Sequence, residues 1–110
     1  MTDPDKLARI FKVLSVTTRV RMVELLRDRS LCVNALARTL DITPAAVSQH
    51  LRILRDADLV TALKRGYFVH YRINEATLTE WNTMTKSLLE PDEGERSPSC
   101  VADNSLDTAT

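Results

Sequence analysis

Glycine is nearly absent, with two in 110 residues. Tight turns and close backbone approaches need it, so the composition weighs against a β-sandwich and offers no phosphate-cradling glycine loop. Frequent leucine and alanine favour helices instead. Cysteine is equally scarce: Cys32 and Cys100 are too few and too far apart for a disulfide scaffold. No apolar run is long enough to cross a membrane. The opening MTDPDKLARIF lacks a basic flank leading into an apolar signal core. The expectation is a cytoplasmic protein. Nucleophile–base spacings and paired acids are also missing. The chain therefore reads as a non-enzyme, with no catalytic residue, no metal site and no certain cofactor.

Net charge is zero as well, but the zero is a sum of unlike parts. Residues 1–89 carry 14 Lys/Arg against 9 Asp/Glu, a net +5, and residues 90–110 carry one Arg against six acids, a net −5. A basic body thus precedes an acidic tail rich in Pro, Ser, Gly, Asp and Glu, and the tail's composition predicts disorder. Two domains of the reading follow: residues 1–89 as the folded unit and residues 90–110 as the tail. The body suits a polyanion, although a solvated surface gives the same balance. A core this small is marginal alone, and dimerisation relieves that.

Periodicity places the elements. Leu7, Ile10, Phe11 and Leu14 mark one face of a helix from about Asp3 to Ser15, with Asp3 as N-cap and Pro4 in the first turn. Thr17 or Thr18 caps a second helix ending near Asp28, whose broad apolar face includes Val20, Met22, Val23, Leu25 and Leu26. A third runs from about Val33 to Leu40. Asp41-Ile42-Thr43 breaks it, and Thr43 before Pro44 is a strong start signal for a fourth, reaching about Ala57. Val47, Leu51 and Leu54 form its inner stripe; Ala45, Ser48, Gln49, Arg52 and Arg55 face outward. The period then changes to two: Leu59 to Lys64 and Tyr67 to Ile73 read as strands, joined at Arg65-Gly66. Asn74 caps a last helix from Glu75 to Leu89, with an apolar side of Leu78, Trp81, Met84, Leu88 and Leu89. The fold class is mainly α with a small β-hairpin: a winged helix-turn-helix of five helices and a two-stranded wing.

That pattern has a chemistry. A helix enters the major groove only if its outward residues are small or polar. Ala45 allows close approach, Gln49 matches adenine two-pronged, and Arg52 matches guanine. The helix start, with Thr43 and Ala46, is a phosphate site, and Lys64, Arg65 and Tyr67 stand at the wing tip. Ser48 and His50 complete the candidate DNA-binding set; a lone His at 50 reads as a structural or phosphate contact before a metal ligand. The competing reading of the whole chain is a winged helix that binds protein without DNA.

The run LARTLDITPAAVSQHLRILRDADLV, followed by KRGYFVHYRI, resembles the ArsR/SmtB family of repressors. Val47, Ser48, His50, Leu51, Leu54, Arg55, Leu59 and Val60 match that family's V-S-x-H-L-x-x-L-R-x-x-x-L-V. Tyr71, Arg72 and Ile73 match the end of its wing. Leu14-Ser15 with Thr18-Arg19 matches its L-S-x-x-T-R junction. The resemblance covers about residues 5–89. It implies a homodimer that binds double-stranded operator DNA and releases it on meeting an inducer. Arsenic-sensing relatives carry C-x-C where this chain has Cys32-Val33-Asn34, so only the first thiol is matched. The zinc sets of other relatives need a His that the last helix lacks. Cys32 and Cys100 remain as sensor candidates for a thiol-reactive inducer, whether metalloid, persulfide or oxidant; otherwise Cys32 is a small buried hydrophobe.

Overall fold

The structure, a computed structural model, describes residues 3–91. The expected acidic tail from residue 92 onward, with Cys100, lies outside them. Five helices and three strands follow in the order α1 (Pro4–Val13), α2 (Thr17–Leu26), β1 (Leu31–Cys32), α3 (Val33–Leu40), α4 (Pro44–Asp56), β2 (Val60–Arg65), β3 (Phe68–Ile73) and α5 (Glu75–Leu89). Among the described residues no helix is long and apolar enough to cross a membrane.

Local signals set most of these bounds. Asp3 caps α1, its Oδ1 accepting from the Asp5 and Lys6 amides. Helix α2 is different: Val16 is its N-cap, and no side chain caps it. The expected Thr17 or Thr18 cap is therefore corrected; Thr17 already lies inside the helix. The apolar face of α2 is also narrower than expected. Met22 and Leu26 are buried, but Val20 is 39% exposed and Arg19, the charged residue beside it, is buried. The helix is rotated to bring Arg19 inward.

Arg19 has work there. Helix α1 ends at Val13, and a helix end leaves carbonyls without partners and a partial negative charge. The Arg19 Nε donates to the Val13 carbonyl at 2.7 Å, and Nη2 reaches the Lys12 carbonyl at 3.5 Å. The Ser15 hydroxyl also donates to the Lys12 carbonyl, at 2.7 Å. A buried cation without a carboxylate is costly unless its donors are used; here the end of α1 supplies the compensation.

The sheet has one strand more than expected. Strand β1 pairs antiparallel with β3, Leu31 opposite Tyr71 and Cys32 opposite His70, so the order is β1-β3-β2. The wing hairpin pairs Val60 with Ile73 through to Arg65 with Phe68. Its turn is Gly66-Tyr67, one residue later than the expected Arg65-Gly66. Gly66 has φ +63 and Tyr67 does not take positive φ, the pattern of a II′ turn with glycine at its first central position. Asn74 stands at the N-cap of α5 as expected, but its side chain does not cap the helix: Nδ2 donates to the Asp58 carbonyl at 3.1 Å.

The core joins all layers: Ile10 and Val13 of α1, Met22 and Leu26 of α2, Leu36 and Leu40 of α3, Val47, Leu51 and Leu54 of α4, then Leu59, Val60, Ile73 and Trp81. Lys6 of α1 and Glu80 of α5 form an ion pair at 2.6 Å on the outside.

Candidate nucleic-acid interface

Helices α3 and α4 form the helix-turn-helix. Leu40 ends α3, and Asp41 takes the left-handed conformation at φ 58, ψ 48. Asp tolerates that region better than most residues because its short polar side chain bonds locally. The Ile42 amide donates back to the Ala37 carbonyl at 3.1 Å, closing α3. Thr43 then opens α4: its Oγ1 accepts from the Ala46 amide at 3.0 Å, and its carbonyl accepts from Val47 at 3.0 Å. Pro44 has no N–H, so the Ala45 amide is left to face an anion at this helix start.

Val47, Leu51 and Leu54 are buried, which fixes the rotation of α4. Thr43, Ala45, Ser48, Gln49, Arg52 and Arg55 are consequently exposed, and Ala46 is half-buried at the edge. Between α4 and β3 lies a cleft of about 500 Å³ with Leu51 and Tyr71 in it and Ser48, Arg52, Arg55 and Asp56 around it. Lys64, Arg65 and Tyr67 are exposed at the hairpin tip. None of these four cations, Arg52, Arg55, Lys64 and Arg65, is ion-paired among the described residues. The arrangement is one cationic face with a small-residue helix at its centre and a basic hairpin to one side, suited to a groove of polyanionic duplex.

His50 is the member of the expected set that points elsewhere. It is half-buried, and its Nδ1 lies 3.4 Å from the Arg19 Nη1. Burial, with the Arg19 guanidinium alongside, holds its imidazole below the ordinary pKa of 6.5. The neutral ring serves as an acceptor for Arg19, so the end of α1, the buried cation of α2 and the middle of α4 are linked side by side. The signal was in the spacing: counted from Val47, His50 and Leu51 fall at i+3 and i+4 of the inner stripe.

Two features escaped sequence reasoning. Strand β1 ties the start of α3 to the wing strand, and two residues carry no period by which to find it. Cys32, the last residue of β1, is also the N-cap of α3, half-buried and with no side-chain cap bond. Opposite it, the His70 Nδ1 is buried with no hydrogen-bond partner. Trp81, on the expected apolar side of α5, is 7% exposed and belongs to the protomer's own core.

A helix-turn-helix with its reading face bare and a basic β-hairpin alongside defines the winged helix-turn-helix class of regulators. Comparison with known proteins narrows the class. A family model described as bacterial regulatory protein, arsR family, matches residues 17–62. The arsenic resistance transcriptional regulator ArsR1 of Pseudomonas putida is 30% identical over 93 residues, 84% of this chain and 73% of that protein. The arsenical resistance operon repressor of Escherichia coli is 39% identical over 67 residues, 60% of this chain and 57% of that protein. A solved ArsR-like transcriptional regulator from Rhodococcus superposes with a TM-score of 0.68 at 27% identity, covering 76% of this chain and 79% of that one. The chain belongs to the arsR family of bacterial regulatory proteins.

The lowered pKa of His50 sets a pH dependence. The unfolded chain binds the proton more readily than the folded one, so stability from the neutral ring is complete above pH 6.5 and is lost as pH falls through the depressed value. Thermal melts between pH 7.5 and 5 should drop more steeply for the natural chain than for His50→Gln, which keeps an acceptor and cannot titrate. Parallel curves for the two would contradict the Arg19–His50 contact.

Proposed function

We propose that the protein is a sequence-specific, DNA-binding transcriptional repressor that works as a homodimer and leaves its operator when an inducer binds. Residues 1–89 are the DNA-binding and dimerisation domain, and residues 90–110 are an acidic appendage. The observation that carries the reading is the bare face of α4: Ala45, Ser48, Gln49 and Arg52 exposed directly over the buried Val47, Leu51 and Leu54. A protein-binding face at this position would be expected to present large apolar groups; this one presents a small residue, an amide, a hydroxyl and a guanidinium.

Base and backbone contacts separate by residue. Gln49 and Arg52 read base edges, while Lys64 and Arg65 add phosphate affinity. Gln49→Ala should cost about 1–3 kcal/mol on the operator and relax specificity at one base pair. Lys64→Ala should weaken operator and random duplex alike and flatten the salt dependence. Titrations of both variants on both duplexes decide this; equal losses for Gln49→Ala on the two DNAs would reject its assignment.

Dimerisation rests on α1 and α5. Both leave apolar residues in water: Phe11 41% exposed on α1, Leu88 53% and Leu89 65% on α5. A two-fold pair of heads reads two half-sites about one helical turn apart, which a single short helix cannot. Phe11→Asp with Leu88→Asp, both on the surface of the protomer, should turn a dimer into a folded monomer in sedimentation experiments. A natural chain that sediments as a monomer while bound to DNA would refute this arrangement.

The inducer acts, on this reading, through Cys32. Its place supports that: it ends β1, stands at the N-cap position of α3 and is the ladder partner of His70, whose Nδ1 is buried without a hydrogen-bond partner. A group added to the thiol would push β1 from β3 and tilt α3, the helix that supports α4. Two of the relatives named above are regulators of arsenic resistance. Regulation requires that the modified form bind DNA more weakly than the reduced form. Arsenite, a persulfide donor and hydrogen peroxide should each be titrated against the preformed operator complex. Release by one agent, abolished by Cys32→Ser alone or by Cys32→Ser and Cys100→Ser alike, supports a thiol sensor; identical responses of the natural chain and both variants would make Cys32 structural.

A further inference from the structure

The wing tip is aromatic as well as basic. Tyr67 is 100% exposed and Phe68 63%, the two most exposed aromatic side chains among the described residues. Neither is placed there by the needs of the turn. The turn needs only Gly66, whose positive φ it uses; the second central position of such a turn admits polar residues. Nor does the core need them: the apolar ladder of the hairpin is buried at its base, at Val60 and Ile73, five residue steps from the tip.

The surroundings of the two rings name their partner. Phe68 is opposite Arg65 in the ladder and Lys64 is opposite Val69, so cations stand beside apolar groups on both faces of the tip. Thr61 to Arg72 contains no acid. Ring surface set among unpaired cations fits an apolar wedge aimed at a polyanion, because the cations hold the phosphates while the rings leave water against sugar and base. The hairpin extends about 17 Å beyond its buried base at about 3.3 Å per residue. That is on the order of half a duplex turn, the step from a major groove to the minor groove next to it.

We infer that Tyr67 and Phe68 form an aromatic wedge that enters the minor groove flanking each half-site and partly unstacks a base step there. The inference rests on the DNA-binding reading above and adds a second source of specificity. Flexible pyrimidine–purine steps open at lower cost than stiff A-tracts, so the protein selects a sequence its recognition helix never touches.

The test uses the full chain and operator duplexes carrying 2-aminopurine in the flanking minor-groove step, with end-to-end energy transfer reporting the bend. Binding should raise 2-aminopurine fluorescence and bend the duplex. A flexible TA or CA step at that place should be preferred over an A-tract by about tenfold. Tyr67→Ser with Phe68→Ser should abolish the fluorescence rise and the step preference, and Tyr67→Phe should retain both. Operator binding with a silent 2-aminopurine and no step preference overturns the wedge and leaves the DNA-binding reading standing. Tip variants that change the sedimentation of the free protein instead would assign the rings to contact between copies and overturn it too. A natural chain that binds no duplex at all overturns the reading on which the wedge rests.

Discussion

The buried guanidinium of Arg19 is the constraint around which the rest is arranged. A cation held largely away from water needs partners for its donors, and no carboxylate pairs with this one among the described residues. Its partners are the closing carbonyls of α1 and the neutral ring of His50 on α4. Three consequences follow. Helix α1 stops where its carbonyls are taken. Helix α2 turns its charged residue inward and leaves Val20 in water. Helix α4 turns His50 inward beside its buried Val47, Leu51 and Leu54, and stripe and histidine together fix its rotation. That rotation decides which side chains of α4 face outward.

From there the face builds itself. With His50 turned in, the outer surface of α4 is left mostly to small and polar residues and to Arg52 and Arg55, with Ile53 as its one exposed large aliphatic side chain. The αL turn at Asp41 and the cap at Thr43 set the angle between α3 and α4, and β1 fastens α3 to the wing strand. Through β3, which pairs with both β1 and β2, the helix-turn-helix and the wing are joined. A perturbation at the β1–β3 junction reaches both, which is the physical reason to look for regulation at Cys32.

Much of this was legible in the chain. Helices α3 and α4 were found to within a residue because Thr43-Pro44 and the stripe Val47-Leu51-Leu54 are unambiguous signals, and α5 because Leu78, Trp81 and Met84 keep a helical period. The misreadings have particular causes. Nothing local to Arg19 announces that a neighbouring helix end will receive it, so the apolar face read for α2 is too broad and takes in Val20, which is exposed. The wing turn slipped by one residue because glycine can serve at either central position, and only the ladder partners of Arg65 and Phe68 settle which. Strand β1 is set wholly by a distant partner. His50 was grouped with the DNA-facing residues although its spacing already put it on the inner stripe. Asn74 was expected at its position but with the wrong bond, because an amide has more than one local acceptor within reach.

On the proposed function, the outer face of α4 lies in a major groove, in two copies, with a wing beside each. Guanine N7 methylation protection, read together with hydroxyl-radical cleavage on an operator bound by the full chain, tests it most directly. Two patches of N7 protection should appear on one face of the duplex, about one helical turn apart, each flanked by a minor-groove segment shielded from the radical. A single patch, or backbone shielding with every N7 left reactive, would contradict the claim.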